Sequence, residues 1–218
     1  MQPKQSLDTT ILRALDRHFA ARQPAVRFAA KVMLVSLAGL FPAVALYIAL
    51  SPGMAAHVME GGPAGGRFLR QILTNGLPVV FAVNCVSFLL YAPMRAAQAD
   101  PLRLVGFDLM ARFGLFVAVH ALVFWGSALA FGSFGGDPMQ ALRVVPPTLV
   151  QAAAFGNLSG AYFYATILGA LPLHMAALAR LLGRPAGPWL VLLLGMLGFL
   201  LQALVLTALS ALIIWFQG

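Results

Sequence analysis

The chain is short of charge. Asp, Glu, Lys and Arg make up 9% of its 218 residues, while apolar residues make up 61%. A soluble domain carries roughly 25% charged residues, so this chain could not cover a water-facing surface. The same apolar excess excludes disorder, which depends on having little to bury. Cysteine is nearly missing. Cys85 is alone, which rules out an internal disulfide, and its place inside an apolar run reads as a small buried side chain. No G-X-Y period and no sustained heptad is present, so collagen and coiled coils are out. Also lacking are a Walker loop, G-x-S-x-G, H-E-x-x-H and C-x-x-C, and the six acids lie far apart. No catalytic residue and no metal site is expected, and the chain does not read as an enzyme.

What is there is long uncharged intervals, at 32–59, 71–94, 113–136, 144–179 and 185–218. A helix needs about 20 apolar residues to cross the ~30 Å hydrocarbon core. Each interval holds one crossing, since two with a turn need roughly 45 residues. Spans are therefore expected near 31–51, 72–93, 110–134, 148–173 and 189–215. Helices satisfy their backbone within one segment, as lipid demands, and transmembrane strands would show alternating segments of about ten residues instead. The fold class is all-α, a polytopic bundle of five membrane-spanning helices. Residues 31–218 form the transmembrane domain behind a basic tail, 1–30.

Five spans put the N-terminus and the second and fourth loops on one side. Eleven Lys and Arg residues fall there, against Arg67, Arg70 and Arg143 on the other. The positive-inside rule places the N-terminus in the cytoplasm and the C-terminus outside. Trp189 and Trp215 bracket the last span, as interfacial indoles do. The strong preference for Arg over Lys suggests a bacterial inner (plasma) membrane. The apolar run from Val32 to Leu50 is too long, and begins too late, for a cleaved signal peptide, so the first span is expected to stay.

A formal charge of +8 invites a nucleic-acid reading, but orientation already accounts for these charges and no soluble module is long enough to fold. In the tail, Ile11, Leu12, Leu15 and Phe19 recur at helical spacing among Arg13, Arg17 and Arg22. Asp8 or Thr9 offers an N-cap and Pro24 a stop. Such a helix lies on anionic lipid headgroups, or simply fixes topology.

Local signals refine this outline. Asp100-Pro101 caps a helix that starts well before the membrane, and Asp108 and Arg112 fall at i,i+4 on that cytoplasmic stub, able to pair at the membrane edge. Asp137-Pro138 opens a short helix to Val145, stopped by Pro146-Pro147. The Gly- and Pro-rich stretch 52–66 is expected to be an irregular external loop. Pro42 and Pro172 predict kinks. No charged residue is expected at mid-membrane depth, which argues against a proton-driven carrier.

Polar residues inside the spans are then the candidates. Asn84, Asn157 and Gln202 lie near the centres of three different helices. They either bond across helices or form a midplane substrate site. Ala152, Gly156 and Gly160 make a small-residue face on the fourth helix, and Ala203, Thr207 and Ala211 one on the fifth. Such faces pack closely on another helix, in the bundle or in a partner. By count of residues, His120 and His174 sit at similar depth on different helices. They could ligate haem or contact a quinone, against the plainer reading of neutral histidines bonded to neighbours such as Tyr91.

Three readings follow. The first is a non-enzymatic membrane subunit or scaffold that docks partner helices from another membrane protein or a second copy. The second is a small-solute permease with its site at Asn84, Asn157 and Gln202. The third is a redox subunit binding haem or quinone through His120 and His174. The first two require no cofactor.

Overall fold

A computed structural model describes residues 24–181, except Pro52, Glu60, Gly61, Gln98 and Ala99, and further on Leu193, Leu197, Leu200, Leu204, Ala208, Leu212 and Trp215. The tail helix, Gln202, Ala203, Thr207 and Ala211 lie outside the described residues. Among the described residues there is helix and no strand. The elements are α1 (Ala25–Leu50), α2 (Met54–Met59), α3 (Gly62–Gln71), a π-helical segment (Ile72–Gly76) and α4 (Leu77–Ala97). There follow α5 (Pro101–Phe131), a 3-10 turn (Ser133–Gly136), α6 (Pro138–Ala153) and α7 (Leu158–Leu181). Among the described residues, three stretches are long and apolar enough to cross a membrane: Ala25–Leu50, Pro63–Tyr91 and Leu102–Phe131.

Side chains are distributed as lipid requires. Leu34, Phe41, Leu89, Leu122 and Leu129 are exposed, while Ser36, Asn84, Ser87, Asp108, Arg112, Thr166 and His174 are buried. Polar groups turned inward and large apolar groups turned outward reverse the pattern of a soluble domain.

Contacts fix the helix directions. Asp108 early in α5 meets His174 late in α7, and His120 further along α5 meets Ser159 at the start of α7, so the two run antiparallel. Gly76 and then Gly169's neighbour Asn84 follow α7 in the same sense from Tyr162 to Gly169, so α4 is parallel to α7. The end of α1 shares a hollow with Phe155 and Gly156, just ahead of α7, while Gly39 lies against Ala165 and Gly169, making α1 antiparallel to α7. Helix α7 is the centre, buried on every face from Gly160 to Ile167. Gly39 is what lets α1 come so close. A Cβ there would overlap the Ala165 carbonyl oxygen, and in lipid small residues drive association by allowing backbones to approach.

Several expectations hold. Pro24 precedes α1. Asp100 caps α5, its carboxylate accepting from the Leu102 amide at 3.0 Å, and Asp137 caps α6, accepting from Met139 at 2.8 Å. Gly132 ends α5 in the left-handed conformation, φ 65°, as a residue without Cβ readily does. The expected kinks at Pro42 and Pro172 are a separate matter: both residues lie inside helices that continue through them as single elements.

Others are corrected. The stretch 52–66 holds two helical pieces, α2 and the first turns of α3, not an irregular loop. Pro63 falls in the first turn of α3, where a missing N–H costs nothing. Pro146 and Pro147 do not stop α6, which continues to Ala153. Its stripe of Ala141, Val145, Leu149 and Ala152 is buried, and this packing outweighs the two lost backbone bonds. The fourth span is not one helix over 148–173, because the chain breaks at 154–157. Phe155 there is left-handed, φ 54°. Asn157 then caps α7, its side-chain oxygen accepting from the Gly160 amide at 3.2 Å. Tyr164 closes the break from the far side, donating its hydroxyl to the Ala153 carbonyl at 2.5 Å and stacking on Phe155 with ring centroids 4.2 Å apart.

Candidate functional sites: a buried ion network and a broken-helix cavity

Two polar regions lie at different levels of the bundle. The more buried is centred on Arg112. Its Nε donates to Asp108 Oδ2 at 2.7 Å, and its Nη1 donates to Asn84 Oδ1 at 2.5 Å and to the Thr166 carbonyl at 2.9 Å. The guanidinium lies over the Phe88 ring, 5.1 Å from its centroid, a cation–π contact that desolvation strengthens. Asp108 Oδ2 also accepts from His174 Nε2 at 2.7 Å. A carboxylate beside a guanidinium can only accept, so this His174 nitrogen carries the proton. Asn84 in turn donates to Ser36 Oγ at 3.0 Å. The network takes Ser36 from α1, Asn84 from α4, Asp108 and Arg112 from α5, and Thr166 and His174 from α7, so it ties the four main helices together.

Asp108 and Arg112 were expected to pair and do so at i,i+4. They were not expected in the interior, yet their exposures are 0% and 1%. The pair expected at a membrane edge is thus enclosed by four helices. The pair survives there because every helix around it supplies a partner, which is the condition for burying charge. Two of its atoms, Asp108 Oδ1 and Arg112 Nη2, have no hydrogen-bond partner among the described residues.

The second region is a cavity of about 760 Å³ further along α5. Its walls come from Gln71, Thr74 and Asn75 around the π segment, Pro78 and Val79 of α4, and His120 to Phe131 on α5. Thr148 of α6 and Asn157, Leu158, Ser159 and Tyr162 at the start of α7 complete it. The π segment thus faces the same space as the N-terminus of α7, while Ala154, Phe155 and Gly156 of the break line a second hollow with the end of α1. The π segment brings Gly76 against the Tyr162 ring, where any Cβ would overlap it. The break at 154–157 presents the N-terminus of α7, with Asn157 donating to the Thr148 carbonyl at 2.9 Å.

Within this wall His120 has both ring nitrogens engaged. The Phe116 carbonyl can only accept, so Nδ1, 3.0 Å away, carries the proton. A neutral ring then accepts the Ser159 hydroxyl at Nε2, 3.2 Å away. Tyr162 is the contrary case. It is 6% exposed, it lines the cavity, and its hydroxyl has no hydrogen-bond partner among the described residues.

The expected site residues are scattered between these regions. Asn84 belongs to the network and Asn157 to the cavity, so the two amides do not converge. His120 and His174 do not converge either. Their partners on α5, His120 itself and Asp108, are 12 residues apart, or about 18 Å, which does not suit two axial ligands of one iron. Among the described residues no group of His, Cys, Asp or Glu is arranged to hold a metal. Ala152, Gly156 and Gly160 straddle the helix break and form no continuous face. Gly160 packs inward on the Ala152 carbonyl.

Sequence reasoning missed Tyr162, Ser159, Asn75 and Gly39. The Gly156-Asn157 pair is a turn signal and marked the break. Nothing local marked the π segment. No family model, no curated protein and no solved structure matches the chain.

Proposed function

We propose that this is a multi-pass protein of a bacterial inner membrane, with five spans, a cytoplasmic N-terminus and an external C-terminus. Its role in this reading is to bind a small uncharged molecule in the α4–α5–α7 cavity and let it cross the bilayer, as a permease. The observation that carries the reading is that the π segment and the N-terminus of α7, at Asn157, line the same space. Irregular backbone at membrane depth is tolerated where it lines a cavity, π segments cluster at functional sites, and carriers place their sites at interrupted helices. The cavity is also within the ~300–1,000 Å³ range of ligand sites.

Sidedness rests on the eleven-to-three division of basic residues. The antiparallel order of α1, α4, α5 and α7 agrees with it. A fifth span is supported by Leu193, Leu197, Leu200, Leu204, Ala208, Leu212 and Trp215, all helical and exposed at the three- and four-residue steps of one helix face. The site is assigned to Asn157, Thr148, Asn75 and Tyr162, with Asn84 kept as a strut of the network. The scaffold reading is weakened by the loss of its small-residue face on the fourth span.

The test is flux. Proteoliposomes holding the full chain should pass small uncharged solutes faster than empty vesicles, and Asn157→Leu should remove the excess. Equal flux through both kinds of vesicle across alcohols, amides and polyols would end the permease reading. An alkaline phosphatase fused after Gly218 should be active outside the cell, and an inactive fusion would reverse the sidedness.

A further inference from the structure

What the cavity can recognise depends on which hydrogens of its wall are already committed. Thr148 donates its hydroxyl to the Val144 carbonyl at 2.8 Å, and Thr74 donates to the Arg70 carbonyl at 2.8 Å. A carbonyl can only accept, so each of these hydrogens is used within its own helix turn. Ser159 donates to His120 Nε2, while His120 Nδ1 holds its proton on the Phe116 carbonyl. Thr74 comes from the π segment, Thr148 from α6 and Ser159 from α7, and all three line the cavity. Three sides of the wall therefore carry hydroxyl oxygens with lone pairs left over and no hydrogen to give.

Donors are distributed differently. Asn157 uses one amide hydrogen on the Thr148 carbonyl, and its oxygen accepts from the Gly160 amide. One N–H is thus left over on the half-buried part of the wall that holds Thr148 and Ser159. Gln71 and Asn75 are exposed, and each carboxamide has two N–H donors. Most ligand chemistries fail against such a wall. A cation would find no Asp or Glu in it and would face the positive pole of the α7 dipole. A carboxylate can only accept, so it would meet the hydroxyl oxygens lone pair to lone pair. A hydrocarbon would cover those oxygens and leave them unsatisfied. A polyol brings donors, but each of its oxygens also accepts, and the half-buried part has one N–H to supply them. An amide nitrogen carries two hydrogens and accepts nothing.

Building on the proposal that this cavity is the site of a permease, we infer that its substrate is a small neutral molecule with a C(=O)NH2 group, a primary carboxamide or a urea. The NH2 group donates to the Thr148 and Ser159 hydroxyl oxygens, and the carbonyl accepts from the Gln71 and Asn75 carboxamides. Selection then rests on hydrogens carried by nitrogen, and not on size or charge alone.

Excess flux over empty vesicles, followed by stopped-flow light scattering on proteoliposomes of the full chain, tests this with a series that removes hydrogens and keeps the carbonyl. Acetamide, with two N–H donors, should exceed N-methylacetamide about fivefold, and N,N-dimethylacetamide, with none, should show no excess. Urea should pass with acetamide, and glycerol should lag both by at least about fivefold. Thr148→Val removes the acceptor oxygen at nearly constant shape and should cut the acetamide excess about fivefold. Thr148→Ser returns the oxygen and should restore the flux, which a side chain needed only for packing would not do. If N,N-dimethylacetamide or glycerol shows the same excess as acetamide, the carboxamide assignment is wrong while the cavity stands as a permease site. An acetamide excess that Thr148→Val leaves untouched, at equal protein per vesicle, also ends the assignment. No excess for any of these solutes would overturn the permease reading itself.

Discussion

The network around Arg112 and the cavity beside Tyr162 share helices α4, α5 and α7, yet they use polar side chains in opposite ways. In the network nearly every polar group is committed to another, with Asp108 held by two donors and Arg112 Nη1 by two acceptors. In the cavity the polar side chains of Gln71, Thr74 and Asn75 are exposed rather than buried against one another, and the helices on either side are irregular. Buried polar groups bonded across four helices fix those helices in place, whereas exposed ones lining a cavity leave their hydrogen-bonding capacity open. The bundle is thus fastened at one level and open at another.

The sharpest way to break this contrast is to cut the network. Arg112→Leu should leave Asp108 buried without its cation and destabilise the bundle by about 3–5 kcal/mol, read as earlier unfolding in a detergent or denaturant titration. Replacing Asp108 and Arg112 together by leucine should recover most of that loss. If the single variant unfolds at the wild-type midpoint, the network is not the fastening described.

Gly39→Val attacks the same rigid half through packing alone. Its Cβ meets backbone at Ala165, which cannot move aside as a side chain could, so a loss of about 1–3 kcal/mol is expected in the same titration. An unchanged midpoint would mean that α1 and α7 separate without cost.

In the open half, Asn157→Ala removes the α7 cap and the bond to Thr148. A loss of about 1 kcal/mol is expected, smaller than either change above. Amide exchange should rise most in the first turn of α7, and a global effect instead would erase the distinction between the two regions. Tyr162→Phe should be the mildest, within about 0.5 kcal/mol of wild type, because the deleted hydroxyl has no partner to abandon. Clear destabilisation would show that this hydroxyl is bonded.

How much of this could be read from the chain depends on how far apart the interacting residues are. The apolar intervals and the Asp100 and Asp137 caps are local patterns, and the helices follow them. The pairing of Asp108 with Arg112 is also local, four residues apart. Its burial is not. Burial depends on Asn84 and His174, 28 and 66 positions from their partners, and no local spacing predicts such a meeting. The two histidines looked equivalent by depth counted from the nearest arginines, a ruler that failed because Arg112 lies inside the bundle. Pro146-Pro147 was a strong local stop overridden by a buried stripe, whereas Gly156-Asn157, a quieter signal, marks the real break. The π segment depends on how Gly76 meets a ring 86 residues later, and it left no trace in the local pattern.

The four-residue spacing of Asp108 and Arg112 also bears on how the protein is made. Both charges are on α5, so the helix carries its own counterion as it leaves the ribosome, before α7 has been synthesised. A segment that arrives at the insertion machinery as an internally neutralised rod faces a smaller partitioning barrier than one bearing a lone charge. His174 emerges 66 residues later, and it can latch a helix that is already in the membrane.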